Sequence, residues 1–351
     1  MQHADEPTQA MPAWAPDAST PADDATAEGG STAAPDGPQR PRPLVLIGSG
    51  LLVLALIAGI AWFAVTTSRA NREAAIREAA TGYLTAVAEG DSATALSLLA
   101  EQPTNTALLT DEVLAASREA AALTEVQAGA IGGAEDQPTV DVTYKLGDLP
   151  VETTLQLASE GREWRIADGT GEVVVPQRDA LTVNGVELTE ETNPVFPGTY
   201  TATAASDLVQ LAGEPAATVS TPAQDHARIE VTPGLSQLGH DTVLNTVKTR
   251  YDECIAATES RPANCPFGVS TEGVEVAEGS VRFAAANDPW AGFAPTLDPA
   301  AMTAGGTIPF IVNATATVSR DGLTTDATTV LQGDRGYNVD LTQDPAVVTW
   351  W

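Results

Sequence analysis

The sequence predicts an α+β protein: a single N-terminal transmembrane helix followed by helix-on-antiparallel-sheet domains with a β-rich module between them. Three observations predict it. Leu44 to Val65 reads LVLIGSGLLVLALIAGIAWFAV, with no ionisable side chain. Beyond it, apolar residues first recur with the 3.6-residue period of a helix, then alternate with the 2-residue period of a half-buried strand. The same change of period recurs in the last third of the chain.

Composition narrows the function classes. The chain has 351 residues, 47 Asp+Glu against 17 Lys+Arg and a formal net charge of -30. At about 150 residues per domain there is room for two or three small domains. Phosphate neutralisation needs clustered Lys and Arg, so nucleic acid is excluded as a partner. Two Cys and three His (His3, His226, His240) cannot build a four-thiolate zinc site and leave little for other metals. GxSxG, HExxH, Walker, EF-hand and dinucleotide motifs are absent, so the sequence assigns no catalytic residue, metal or cofactor.

Residues 1–43 are rich in Ala, Pro, Asp, Thr and Gly, with Trp14 the lone aromatic. Such a stretch buries too little apolar surface to offset its ordering entropy and reads as a disordered tail. It is either a plain solvated tail or a docking and phosphorylation segment around Thr20, Thr26 and Thr32.

The apolar run makes about 33 Å of helix, enough for a hydrocarbon core of about 30 Å. Its length exceeds a cleaved signal peptide's apolar stretch, and residues 44–66 read as an uncleaved signal anchor. The lipid bilayer is thus the first partner. Arg40 and Arg42 precede the run, and Arg69, Arg72 and Arg77 follow it, so flanking charge alone does not orient it. Large C-terminal domains translocate largely regardless of charge. The expected topology is a single pass in the cell membrane, N-terminus cytoplasmic and C-terminal region extracytoplasmic.

Residues 67–172 read as a first α+β domain. Ile76, Ala80, Tyr83, Leu84 and Val87 share a helical face over Ser68–Glu89. Gly90-Asp91-Ser92 ends that helix and caps a second, with Ala95, Leu96 and Leu99 on one face. A third helix is predicted from Thr110 to Ala121. Val140, Val142, Tyr144 and Leu146 alternate with polar residues, turn at Gly147-Asp148, and are answered by Val151, Thr153, Leu155 and Leu157; Trp164 and Ile166 continue the meander.

Residues 173–233 read as a small β module. Leu181–Leu188 around Asn184-Gly185 is a hairpin signal, because a type I′ turn needs positive φ at both central positions. Pro197-Gly198 precedes the alternating Tyr200, Ala202 and Ala204, and Ile229 and Val231 close the module before Pro233-Gly234. Residues 234–351 read as a second α+β domain. Its helix is expected over Asp241–Thr258, with Asp241 as N-cap and Val243, Leu244, Val247, Tyr251 and Ile255 on one face. Strands are expected at Val281–Ala285, Ile308–Val318, Thr325–Leu331 and Gly336–Leu341, with a turn at Asp321-Gly322.

REAAIREAATGYLTAVAEGDSATALSLL, residues 72–99, resembles the opening helices of NTF2-like, cystatin-like extracytoplasmic domains in single-span envelope proteins of actinobacteria. TVNGVELTEETNPVFPGTYTATA, residues 182–204, is similar to small β modules of teicoplanin-resistance-associated membrane proteins. These resemblances imply an α+β layout outside the membrane and carry over no catalytic residue.

Cys254 at the helix end and Cys265 in the next loop are candidates for a disulfide, which an oxidising export-side compartment favours; the alternative is two reduced structural thiols. His240-Asp241 are neighbours at a helix start, where side chains do not face each other. Trp290, Phe293, Trp350 and Trp351 stand in irregular sequence, as recognition aromatics or as lids on a core. The expected function is a membrane-anchored extracytoplasmic envelope protein with a non-enzymatic binding, sensing or scaffold role and a cell-wall or surface-protein ligand. The alternative is an enzyme using a pocket in the NTF2-like domain.

Overall fold

The computed structural model describes residues 46–351 apart from 162 and 223–225, with side chains from residue 68 onward. The tail at 1–43 and the side chains of the 44–66 run lie outside the described residues. Among the described residues no helix is long and apolar enough to cross a membrane. Compactness divides the chain into Met1–Trp62 and Phe63–Trp351, and every sheet among the described residues belongs to the second part. The fold there is mixed α+β, built around three hydrophobic cores.

The first core lies under helices α1 (Leu46–Glu89), α2 (Ser92–Ser97) and α3 (Asp111–Ala120) and over an antiparallel sheet. Ile76, Ala80, Tyr83, Leu84 and Val87 form the buried stripe of α1. Gly90 takes φ of 83°, Asp91 Oδ1 accepts the Thr94 N–H at 2.9 Å, and Thr110 Oγ1 accepts the Val113 N–H at 3.3 Å, so α2 and α3 start where local capping chemistry places them. The sheet runs β1 (Leu123–Gly133), β2 (Pro138–Leu146), β3 (Leu149–Glu160) and β4 (Glu163–Ile166) in sequential order. Val140 faces Leu155 and Tyr144 faces Val151 across the β2–β3 register. Strand β1 has no counterpart in the sequence reading. It is a mostly exposed edge, rich in Ala and Gly, with register shifts near Glu125, whose φ is 57°, so no alternation marks it.

The second core joins β5 (Gly171–Val174), β6 (Leu181–Val183), β7 (Thr192–Val195), β8 (Gly198–Ala204), β9 (Val209–Glu214), β10 (Ala216–Val219), β11 (His226–Arg228) and β12 (Glu230–Leu235). They form small sheets ordered β10-β8-β6, β11-β5-β7 and β12-β9. The Asn184-Gly185 turn forms, with φ of 45° and 85° and Val183 and Val186 exchanging backbone hydrogen bonds. The hairpin read from it does not extend. β6 pairs instead with β8, Leu181 opposite Ala204, because burial of Leu181 and Val183 against Tyr200 outweighs a local return strand. β12 runs through Pro233-Gly234 rather than ending before it; Pro233 is tolerated in a two-stranded edge pair with β9. Leu108 and Val113 enter this core from the α3 region, and Phe196 enters the first core from the β module.

The third core lies between helix α4 (Gln237–Ala256) and a sheet of β13 (Glu275–Val276), β14 (Arg282–Ala285), β15 (Thr296–Asp298), β16 (Thr303–Arg320), β17 (Leu323–Asp340) and β18 (Val347–Trp350). α4 begins four residues before the expected start. Ser236, not Asp241, is its N-cap, with Oγ accepting the Gly239 N–H at 3.0 Å. Val243, Val247, Tyr251 and Cys254 are its buried stripe. β16 and β17 pair without a bulge from Thr303–Asp340 to Arg320–Leu323 about the Asp321-Gly322 turn. The two strands expected at Thr325–Leu331 and Gly336–Leu341 are one. The glycines that interrupt the pattern sit beneath aromatic rings: Phe310 lies opposite Gly333, Tyr337 opposite Gly306, and Trp351 opposite Gly336.

Gly239 tests the packing of α4. Alanine in a helix interior is ordinarily favoured over glycine by about 1 kcal/mol. Here a Cβ would overlap the Leu208 carbonyl oxygen, which is backbone and cannot swing aside. Gly239→Ala should therefore lower the urea midpoint, by the equivalent of about 1–3 kcal/mol.

Candidate functional site

The helix-covered face of the first sheet is a packed interior among the described residues. Tyr83, Leu84, Val142, Tyr144, Leu155 and Leu157 fill it, all buried. Tyr83 donates its hydroxyl hydrogen bond to the Gly169 carbonyl, and Tyr144 donates to the Ser220 carbonyl. Trp164 packs at the margin, with the Arg72 guanidinium 5.1 Å over its ring. His240 Nδ1 lies 3.8 Å from Asp241 Oδ1, beyond hydrogen-bond reach, and its ring meets Phe293 edge-on. Among the described residues, no group of three or more His, Cys, Asp and Glu is placed to hold a metal ion.

The singled-out residues of the last third converge on the third core. Cys254 and Cys265 are bridged, with Cα atoms 5.7 Å apart. Arg250 holds the same loop: its Nε donates to the Asn264 carbonyl at 3.1 Å, Nη1 to Glu253 at 2.8 Å, and Nη2 to the Ala263 carbonyl. Asn264 Nδ2 then donates to the Val348 carbonyl at 2.9 Å, which ties the loop to β18.

An aromatic chain crosses this core. Tyr251 meets Trp290 at 5.6 Å, Trp290 meets Phe293 at 6.1 Å, Phe293 stacks on Tyr337 at 5.3 Å, and Tyr337 meets Trp350 at 6.2 Å. Trp290, Phe293 and Trp350 are half-buried and pack against the core. Tyr251 Oη, Tyr337 Oη and Trp350 Nε1 are buried with no hydrogen-bond partner among the described residues. Burial, with Asp252 adding repulsion, pushes the Tyr251 hydroxyl up to about 12, and burial raises Tyr337 as well.

Trp351 differs from the other three. It is 72% exposed. Its N–H donates to the Gly336 carbonyl at 3.0 Å and its carbonyl accepts the Gly336 N–H at 3.2 Å, extending the ladder one residue past β18. The indole lies over Gly336, where a Cβ would come within 2.5 Å of the ring. On β17, Tyr337 and Val339 point inward, so Gly336 and Asn338 point to the outer face. A shallow groove of about 440 Å³ lies beside the indole, lined by Gly305, Thr307, Asn338 and Thr349 among others. The sequence marks Trp351 as a candidate but not Thr307, Gly336, Asn338 or Thr349. The available signal was a glycine amid alternating residues with an aromatic downstream.

Two predictions follow the tyrosines. Tyr200 Oη donates to the Phe196 carbonyl at 2.7 Å, whereas Tyr337 Oη has no partner among the described residues. Tyr200→Phe should cost about 1 kcal/mol by denaturant unfolding, and Tyr337→Phe should be neutral or stabilising. Burial raises Tyr83, Tyr200, Tyr251 and Tyr337, so the fold favours their neutral forms. Their contribution is complete below the unfolded value of about 10 and is lost as pH rises above it. Near-ultraviolet titration should show these four ionising together with alkaline unfolding, not at ordinary phenol values.

Compared with known proteins, the chain matches no protein-family model, no curated protein and no solved structure.

Proposed function

We propose that this chain is a single-pass, membrane-anchored extracytoplasmic envelope protein with a non-enzymatic binding, sensing or scaffold role. The bilayer holds it through residues 44–66, with the N-terminus cytoplasmic and a cell-wall component or surface protein as the ligand of the outer domains. The observation that carries the reading is the Cys254–Cys265 bridge, which joins the two cysteines of the chain on the C-terminal side of the apolar run. Disulfides persist in oxidising compartments and are rare where thiols are kept reduced. The uncharged Leu44–Val65 run supports the anchor. The helices over a meander in residues 67–172 support the NTF2-like reading of that segment, while its filled interior favours binding over catalysis there.

The test is the thiol state of Cys254 and Cys265 in native membranes, read by alkylation without reduction and peptide mass. A bridged pair is expected, together with a 1–43 tail protected from an impermeant label. Two free thiols with a labelled tail would overturn the topology. Reducing the bridge should lower stability, since a closed loop of this size contributes about 3 kcal/mol in the chain-entropy model.

A further inference from the structure

Trp351 presents one indole face to solvent while the other rests on the Gly336 backbone. Two hydrogen bonds to Gly336 fix its main chain, so the platform is held in place before any ligand arrives. The side chains around it are neutral. Cross-strand pairing places Thr349 beside Asn338 and Asn338 beside Gly305, and in the next row Thr307 lies beside Gly336, which carries Trp351. Neighbouring strands are about 4.8 Å apart, and successive outward positions on a strand about 7 Å. The patch is therefore about 10–15 Å across. The glycines at 305 and 336 keep the floor low, so a flat ligand can approach the sheet beside the indole.

Charge selects the ligand class further. No Lys or Arg lines the groove, so nothing there neutralises an anion. Asp334 and Asp340 stand on the same face of β17, one outward position beyond Gly336 and Asn338 respectively, and would repel one. No side-chain carboxylate lines the groove itself. What remains is a neutral molecule with an apolar face for the indole and hydroxyl or amide groups for Asn338, Thr349 and Thr307. A pyranose ring has both. Its axial C–H groups form the apolar face, and its equatorial hydroxyls point outward to the rim.

We infer that the outer face of the β16–β17–β18 sheet is a carbohydrate-binding site, with a neutral pyranose stacked on Trp351 and hydrogen-bonded by Asn338 and Thr349. The inference rests on the binding reading above and names its ligand class. The site is open, and one ring stacks on one indole, so binding is weak for each unit.

The test uses the full-length chain in detergent, labelled with 5-fluorotryptophan, which gives one fluorine signal for each of the six Trp. Cellotetraose and chitotetraose are titrated separately to about 20 mM, a range suited to millimolar affinity. The expected result is a saturable shift of the Trp351 signal with at least one of them, while the buried-side Trp290 and Trp350 signals stay in place. Trp351→Phe assigns the signal. Trp351→Ala should abolish binding, followed by retention on insoluble cellulose or chitin, while the unmoved remaining signals show the fold intact. Asn338→Ala should weaken it at least threefold with the fold intact. No shift with either saccharide, or retention unchanged in both Trp351→Ala and Asn338→Ala, would overturn the inference. Oxidised Cys254 and Cys265 in that event would leave the envelope topology standing, so the two readings fail separately.

Discussion

Three aromatic rings lie on one sheet because a glycine sits under each of them, and the α+β unit around the third core depends on that arrangement. Phe310 covers Gly333 and Tyr337 covers Gly306 on the inner face, while Trp351 covers Gly336 on the outer face. Glycine inside a strand is costly in backbone entropy and supplies no side chain to pack. A ring laid across it recovers the contact area and shields the exposed backbone. Any side chain at 306 would meet the Tyr337 hydroxyl, at 2.7 Å for the first carbon alone. The inner pairs thus set how closely the aromatic chain from Tyr251 to Trp350 can approach the sheet. The outer pair sets the height of Trp351, whose indole faces water on this sheet.

The inner and outer faces are coupled through β18. This strand is short, pairing with β17 only from Tyr337–Trp350 to Asp340–Val347. Alone, a ladder of that length would fray. Val348 is buried in the core, its carbonyl accepts Asn264 Nδ2, and Asn264 belongs to the loop that Cys265 ties to α4. Arg250 grips the same loop through two carbonyls. A helix, a disulfide and a guanidinium therefore all bear on the strand that carries Trp351. In the first half of the chain the coupling takes another form: Ser117 on α3 accepts the Thr199 N–H at 2.9 Å, and Val113 and Leu114, adjacent on α3, enter different cores.

Local chemistry was legible in the sequence and remote pairing was not. The α1 stripe from Ile76 to Val87, the caps at Asp91 and Thr110, and the Val140–Leu146 alternation are set within a few residues, so period and capping rules find them. The Asn184-Gly185 turn was legible too, yet the partner of β6 lies across the module on β8, where hydrophobic burial chose it. β17 read as two strands because Gly333 and Gly336 look like breaks until their covering rings are known. Ser236 carries no cap signal in the sequence because the apolar stripe begins only at Val243. The site follows the same division. Trp351 draws notice as an exposed-type aromatic, but its role as a platform depends on Gly336, fifteen positions earlier, and on Thr307 and Asn338 brought alongside by register.

The charge of the molecule and the neutrality of its outer patch belong to one argument. At a formal -30 the protein repels anions over distances of about a Debye length, and only local cations could reverse that. Elsewhere several cations are engaged within the fold: Arg165 with Glu160 and the Ser97 carbonyl, Arg250 with the disulfide loop, Arg335 with the Pro266 carbonyl at 2.8 Å. The Trp351 face carries none, and Asp334 and Asp340 flank it. An acidic surface discourages non-specific capture of other acidic polymers, while a small uncharged window leaves attraction to short-range stacking and hydrogen bonds. Discrimination on such a surface comes from the shape and hydroxyl pattern of a neutral ring, because these are the only contacts the window offers.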